Sequence, residues 1–198
     1  MSAFQVIKPS QVVIGIAIPT SRKAFLAQHS APIETHEYAK RYYNWQLYRK
    51  ALGTYLSDVV KQLERVGARV VPELSVARWE SLFGESGTVV IVIAHWRDSD
   101  LPTPSAIELS DGFKLIHELV DLIPVGFEGL LDLCVCHPGL FAKLVEQRRP
   151  KLRVFFKDVK ISPDIWLLVY STAILQIAVR PTDYATALEN AMSGLIET

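Results

Sequence analysis

The sequence predicts an α/β domain built on a mostly parallel β-sheet with helices on both faces. Three segments carry this prediction. Residues 12–18 form a continuous apolar run, as in a strand that is buried on both faces, and residues 88–94 and 129–136 are apolar apart from Thr88 and Asp132. Segments with helical spacing of apolar residues lie between them, and strands that alternate with helices form parallel sheets. No repeat or linker divides the chain, so we expect one domain over residues 1–198.

The first part of the chain is predicted to contain one strand, a loop and a long helix. Pro19 stops the strand at 12–18, and residues 20–37 are interpreted as a loop because their polarity is mixed. The helix is predicted from about 37 to 66, and Gly67 ends it. Its apolar face is expected at four-residue steps, at Leu47, Ala51, Tyr55, Val59 and Leu63.

The remaining elements alternate in the same way. Thr182 is the predicted N-cap of the last helix, whose apolar stripe consists of Ala187, Leu188, Ala191 and Leu195. The other predicted strands are 68–71, 88–94, 106–109, 129–136 and 152–156. The other predicted helices are 76–83, 114–123, 140–146 and 165–178.

The composition excludes several classes of protein. Hydrophobic residues make up 49% of the chain and the net charge is zero, so a sizeable core is expected and nothing favours binding to nucleic acid or an anionic membrane. The basic residues at 148–153 are interpreted as solvated surface. No apolar run reaches the roughly 18 residues of a membrane span, and no signal peptide is recognisable.

Only two cysteines occur, Cys134 and Cys136, and both fall in one predicted strand. Their spacing does not suit a disulfide, which is consistent with a reducing cytoplasm. With His137 they are also too compact for the usual zinc ligand spacing, so we expect no metal, and we expect no other cofactor.

Reactive side chains follow two of the predicted strands. His95 comes directly after 88–94, and the two cysteines end 129–136. If helix 114–123 is the crossover, these strands are neighbours, and ligands bind beyond the carboxyl ends of such strands. A nearby imidazole favours the thiolate that makes cysteine a nucleophile. Each residue alone is more often structural, but together they indicate a Cys–His dyad.

The order of these motifs resembles the CHAT domains, which are caspase-like cysteine peptidases related to caspases, metacaspases and separase. A strand ending at His95 is followed by Ile-Glu-Leu-Ser-Asp-Gly at 107–112, a helix, and a strand ending in Cys-His-Pro-Gly at 136–139. The caspase histidine lies about 50 residues before its cysteine, close to the separation found here. Residues 184–192 resemble the final Ala-Leu-x-x-Ala helix of CHAT domains.

The resemblance implies a peptidase in which His95 is the general base and Cys136, in the Cys-x-x-Gly turn, is the nucleophile. Cys134 is the alternative nucleophile, because the family also places an acidic or polar residue two positions before it, as Asp132 is here. The implied partners are a protein substrate and a separate activator or sensor subunit, in a prokaryotic defence or regulated-proteolysis system.

Three further residues are candidates for substrate binding. Asp132 is costly in an apolar strand unless it is paired or reached by a cleft, so it forms either an acidic pocket wall for Arg or Lys or a salt bridge within the domain. Asp111 is a second acidic candidate, although Ser-Asp-Gly is typical of a turn. Trp96 is either an aromatic wall or an obstruction.

Trp96 also departs from the family pattern. A small residue usually follows the catalytic histidine, and its backbone N–H helps to form the oxyanion hole. The bulk of Trp96 therefore favours an alternative function, a catalytically degenerate CHAT-like module that binds a partner protein. A third alternative, a small-molecule-binding α/β domain of another lineage, predicts that His95 and the cysteines lie far apart.

Overall fold

Parallel strands form the centre of the molecule. The computed structural model describes residues 3, 5–30, 44–84, 88–97, 105–135, 138–157, 161 and 163–196. Its strands are β1 (Val12–Ile16), β2 (Arg69–Pro72), β3 (Val89–Ile93), β4 (His95–Arg97), β5 (Ala106–Leu109), β6 (Gly112–Leu115), β7 (Leu130–Cys134) and β8 (Arg153–Phe155). Five of them form a parallel sheet in the order β2-β1-β3-β7-β8, and β4-β5-β6 form an antiparallel sheet.

Helices connect these strands. In the described part of the chain they are α1 (Arg22–Ser30), α2 (Trp45–Tyr48), α3 (Thr54–Arg65), α4 (Val76–Trp79), α5 (Ile116–Asp121), α6 (Pro138–Arg148), α7 (Pro163–Val179) and α8 (Tyr184–Ile196). A π-helical segment, Arg49–Gly53, joins α2 to α3, and short 3-10 helices occur at Pro9–Gln11 and Glu80–Phe83. None of the described helices is long and apolar enough to cross a membrane.

The two faces of the large sheet are covered by different helices. Val89, Ile91 and Ile93 point into a core shared with α3, α7 and α8. Val90 and Val92 point into a second core, shared with α4, α5 and α6. All five side chains are fully buried, as expected for a parallel strand covered on both faces. The predicted α/β fold, a mostly parallel sheet between layers of helices, is confirmed.

The interpretation of residues 20–37 as a loop was wrong where the structure describes them. Ser21 begins α1, since its hydroxyl accepts a hydrogen bond from the backbone N–H of Ala24 at 3.2 Å. Phe25 is buried and stacks against Trp45 and Tyr48, with ring centroids 5.7 and 4.9 Å away. The helix is therefore held by an aromatic contact with a later segment, which local polarity does not reveal.

The long helix is confirmed from residue 45 to 65, with its end at Gly67 (φ +97°), whereas residues 37–43 lie outside the described part. Its predicted apolar face is only half correct. Leu47 and Ala51 are exposed, and the buried positions are Tyr48, Leu52, Leu56, Val59 and Leu63. An α-helix has 3.6 residues per turn, so residues spaced by four positions drift gradually around the helix and do not stay on one face. The π-helical segment at Arg49–Gly53 adds to this change in which residues face the core.

Two boundaries also differ from expectation. Residues 112–115, partly assigned to a helix, form β6, because Ser110 and Asp111 make a tight turn that Gly112 completes at φ +122°. Helix α8 is capped by Asp183 and not by Thr182, because the Asp183 carboxylate accepts a hydrogen bond from the Thr186 N–H at 2.9 Å. In the predicted stripe, Ala187, Leu188 and Ala191 are buried.

Gly15 lets the layer around α4 approach the sheet. A Cβ atom at this position would lie 2.8 Å from Leu74 Cδ2 and 3.1 Å from Leu82 Cδ1. We expect Gly15→Val to lower the free energy of unfolding by about 1–3 kcal/mol, because the added methyl groups overpack the core. Urea denaturation measures this change.

Gly194→Ala is the matched control. Position 194 lies in α8 with no atom within 4 Å of a built Cβ. Alanine there should leave stability unchanged or raise it by up to about 1 kcal/mol. Equal midpoints for both variants would contradict the close approach at Gly15.

Candidate functional site

The carboxyl ends of β3 and β7 lie side by side. The two strands pair in parallel with Ile93 opposite Cys134, and the N–H of Ala94 donates to the carbonyl of Cys134 at 3.5 Å. Neighbouring strands are about 4.8 Å apart, and His95 begins β4 just two residues beyond Ile93. The predicted adjacency of these two strands is confirmed. It contradicts the widely separated ends that the third alternative requires.

Cys136, the predicted nucleophile, lies outside the described residues. In the sequence, Cys136 and His137 follow Cys134 and Val135. The described part of the chain resumes at Pro138, where α6 begins. The structure therefore fixes the two ends of the connection that contains Cys136. The assignment of Cys136 as nucleophile stays a prediction.

The strand order places this edge next to a topological switch point. The chain passes from β1 to β2 on one side and returns to β3 on the other side of β1. In such sheets the crevice beyond the carboxyl ends of the two central strands is the usual ligand site. Here those ends are Ile16 and Ile93, and Ala17 donates its N–H to the Ile93 carbonyl at 3.0 Å.

The small antiparallel sheet is anchored to the loop after β2. The hydroxyl and the N–H of Ser110 donate to the carbonyls of Glu73 and Leu74, both at 2.8 Å. Both carboxylate oxygens of Asp111 accept from the N–H of Val76 at 3.1 Å, which caps α4. Asp111 is thus a turn residue with a structural hydrogen bond, and its substrate-binding role stays a prediction.

Trp96 points away from the face on which His95 lies. Successive side chains alternate between the faces of a strand, and half-buried Trp96 packs against the core that contains Ile107, its partner on β5. Its indole ring is therefore part of the packing between the small sheet and the helices. The ring is partly exposed, and its role as an aromatic wall for substrate stays a prediction.

His95 is half-buried, and its Nε2 atom is covered by protein. It stands directly opposite Glu108 in the antiparallel β4–β5 pair. Glu108 is only 5% exposed, so a carboxylate shares the interior with the imidazole. Glu108 was not among the residues predicted from the sequence, although a lone charge between Ile107 and Leu109 in an apolar strand is a visible signal.

Asp132 lies inside the molecule and not in the wall of an open cleft. Its side chain is fully buried on the sheet face covered by α7 and α8, and Oδ2 accepts a hydrogen bond from the Tyr184 hydroxyl at 2.6 Å. Burial raises the pKa of Asp132 to about 7, although the hydroxyls of Tyr184 and Tyr170 lower it. The predicted salt bridge is replaced here by a hydrogen bond to tyrosine.

Cys134 shares this polar cluster. It is 1% exposed and faces the same core as Tyr170 and Tyr184. Burial, followed by the nearby Asp132 carboxyl, raises the pKa of the Cys134 thiol well above its ordinary value, and a hydrogen bond with Tyr170 only partly opposes the rise. A thiol held in this way stays protonated and covered. The arrangement therefore gives Cys134 none of the properties of an activated nucleophile.

The tyrosines of this cluster were also missed from the sequence. Tyr170 and Tyr184 stand in apolar helical segments, where nothing in the local pattern signals a polar contact with the sheet. Their hydroxyls reach the sheet only because α7 and α8 pack across β7. No described cluster of three or more histidine, cysteine or acidic side chains has the arrangement of a metal site.

Comparisons with known proteins do not identify a family for this chain. No family model matches the chain, and no curated protein is significantly similar to it. The likeness to CHAT domains therefore rests on motif order and spacing in the sequence and stays a prediction.

The buried carboxyl of Asp132 predicts an unusual pH dependence of stability. Unfolded aspartate ionises near pH 4, whereas folded Asp132 keeps its proton up to about pH 7. Between these values only the unfolded chain releases the proton, so stability should fall as pH rises from about 4 to 7 and level off above. The loss should be on the order of 4 kcal/mol. Urea unfolding at a series of pH values measures it.

Asp132→Asn should remove this slope, because the amide does not ionise. Asp58→Asn is the matched control, since Asp58 is exposed and pairs only with Lys61 at 3.7 Å. The control should retain the slope of the unmodified protein. Identical pH profiles for the protein and Asp132→Asn would show that Asp132 ionises normally.

Proposed function

We propose that the chain is a CHAT-type, caspase-like cysteine peptidase in which His95 is the base and Cys136 the nucleophile. One observation carries the proposal: the parallel pairing of β3 with β7, with Ile93 opposite Cys134. Each reactive residue follows its own strand by two positions, so both belong to one edge of the sheet. The strand order β2-β1-β3-β7-β8 puts that edge beside the switch point where ligands bind.

The chemistry follows from these two groups. The Cys136 thiol gives its proton to the His95 imidazole, and the thiolate attacks the carbonyl carbon of a peptide bond. Backbone N–H groups hold the oxyanion that forms. The imidazolium then protonates the leaving amine as the C–N bond breaks, which leaves a thioester on Cys136. Water, deprotonated by His95, hydrolyses the thioester and restores the thiol.

The surroundings of Cys134 argue against Cys134 as the nucleophile and so support Cys136. The Cys134 thiol is buried among Asp132, Tyr170 and Tyr184, and burial keeps it protonated. Cys136 follows two residues later, past the last buried strand residue and before α6. A residue beyond the strand end is where a substrate can approach, because the strand itself is covered on both faces.

The position of Trp96 supports turnover over the degenerate alternative. Its ring packs with the core beneath the small sheet, on the side away from His95. The bulk that departs from the family pattern therefore does not occupy the face on which the imidazole lies. The Trp96 backbone N–H remains the candidate for the oxyanion hole.

The partners follow from the resemblance. CHAT-type peptidases cut protein substrates under the control of a sensor, so we propose a protein substrate and a separate activator, in a prokaryotic defence or regulated-proteolysis system in the cytoplasm. The noncatalytic module that only binds a partner protein is the competing function, and the experiments below distinguish the two.

Replacement of the dyad tests the reaction. His95→Ala and Cys136→Ala should each reduce cleavage by at least about 10³-fold, because each removes a group that forms or transfers a bond. New protein N-termini, identified by mass spectrometry in cells that express each variant, measure the cleavage.

Cys134→Ala is the matched control and should retain cleavage within a few-fold of the unmodified protein. Cleavage that survives both His95→Ala and Cys136→Ala would end the peptidase proposal. Cleavage lost only in Cys134→Ala would move the nucleophile to Cys134.

A thiol-reactive peptide probe ending in Arg or Lys distinguishes the cysteines directly. At pH 7 the native protein should take up one probe, on Cys136, and a second should react with Cys134 only in denaturant because that thiol is buried and protonated. Peptide mapping locates each adduct. A native protein that stays unlabelled beside a labelled Cys134 in denaturant favours the noncatalytic module or an enzyme that awaits its activator, and the cleavage assay in cells distinguishes these two.

A further inference from the structure

We propose that the outward face of α7 is a two-fold interface, on which a second copy of this chain docks with its own α7 antiparallel to the first. The surface belongs to the sheet face that α3, α7 and α8 cover, opposite α4, α5 and α6. The inference does not depend on the proposed peptidase function. Neither the motifs nor the resemblance singled out this surface.

The outward face of α7 is apolar along its whole length. Ile165, Leu168 and Val179 are 42, 37 and 87% exposed, and Leu175 is half-buried between them. The last three follow Ile165 by three, ten and fourteen positions, which places all four on one side of a helix with 3.6 residues per turn. The other side of α7 packs into the core, so this helix is apolar on both faces. A continuous apolar strip on a surface marks a site of interaction.

This face also carries no charge, unlike the outward faces of two other helices. Residues 165–179 contain no acidic or basic side chain. On α3 and α6 the exposed positions are mostly charged, with Asp58, Lys61, Glu64 and Arg65 on α3 and Lys143, Glu146 and Arg148 on α6. Charged side chains are typical of a helix face in water, whereas the centres of protein interfaces are depleted of charge. The outward face of α7 therefore has the composition of an interface.

A groove continues this face on one side. It lies between the C-terminal half of α7 and the N-terminal half of α8 and has a volume of about 860 Å³. Leu175 and Val179 of α7 form one wall, and the uncharged Thr186 and Asn190 of α8 form the other. The surface thus has two different halves. Exposed branched side chains project from the first half of α7, and a hollow lies beside the second half.

These two halves complement each other when one copy is turned by 180° against the next. In an antiparallel pair, Ile165 and Leu168 of each copy face the groove of the other copy, so the same contact is made twice, as two-fold interfaces require. The ends of the helix agree with this direction. Asp164 lies in the first turn of α7 and Arg180 directly follows its last residue. Antiparallel helices bring these opposite charges and opposite dipole ends together, whereas parallel helices bring like ends together.

The size of the surface predicts a weak dimer. Helix α7 has 17 residues, so it is about 25 Å long. With α8 packed beside it, the face is about 20 Å wide and has an area on the order of 500 Å². Stable interfaces bury about 800 Å² on each partner. We therefore expect a dissociation constant on the order of 10 μM.

Sedimentation velocity of the unmodified protein tests the association. Between about 1 and 200 μM the sedimenting mass should rise from that of one chain towards that of two, because this range spans the expected dissociation constant. A protein that remains a single chain at the highest concentration would overturn the inference.

Leu168→Glu tests whether this face is the interface. It should raise the dissociation constant at least about tenfold, because association would bury an unpaired charge. Leu140→Glu is the matched control, since Leu140 is 52% exposed on α6, on the other side of the sheet, and it should leave the constant unchanged. Equal constants for the two variants would overturn the inference. Circular dichroism verifies that each variant is folded, and the unmodified protein decides the outcome if Leu168→Glu is not.

Cross-linking tests the antiparallel direction. In a Cys136→Ala background, where Cys134 is buried, Thr172→Cys should join two chains through a short bifunctional thiol reagent, because residue 172 lies near the middle of α7. Val179→Cys should not, since the two copies of this position would lie roughly 20 Å apart. Linkage through Val179→Cys as readily as through Thr172→Cys would overturn the arrangement. A dimer that neither variant cross-links would place the interface elsewhere and overturn it as well.

Discussion

The structure depends on the parallel pairing of β3 with β7. Every described residue of these two strands is buried, from Val89 to Ile93 and from Leu130 to Cys134. Two separate cores meet across this pair, so neither strand can shift by one residue without turning its side chains into the wrong core. The same pairing fixes where both strands end, and it thereby fixes the relative position of the two segments to which we assign the chemistry.

One polar cluster interrupts this apolar centre. Asp132 and Cys134 on β7 meet Tyr170 of α7 and Tyr184 of α8, and the shortest contact joins the Tyr184 hydroxyl to Asp132 Oδ2 at 2.6 Å. A buried hydrogen bond tolerates substitution less well than an apolar contact, because loss of one partner leaves the other buried without a hydrogen bond. The cluster therefore fixes how the two C-terminal helices sit on the sheet.

The sequence predicted what depends on local pattern. Apolar runs predicted β1, β3 and, apart from Asp132, β7, and the helix between them correctly predicted that β3 and β7 are neighbours. Contacts between distant segments were not predictable in this way. Phe25 packs α1 against residues some twenty positions later, and Tyr184 bonds to Asp132 across 52 positions of the sequence. The β4–β5 register, which places Glu108 opposite His95, was not predictable in this way either.

A single residue, Ala94, separates the last position of β3 from the first position of β4. Ala94 is only 2% exposed and donates its N–H to the Cys134 carbonyl at 3.5 Å, so the junction between the two sheets is itself held by the parallel sheet. The hydrogen bonds from Ser110 and Asp111 to the loop after β2 hold the antiparallel sheet at its other end. The antiparallel sheet is therefore fastened to the parallel sheet at two separate points, and this limits how far His95 can be displaced from the end of β3.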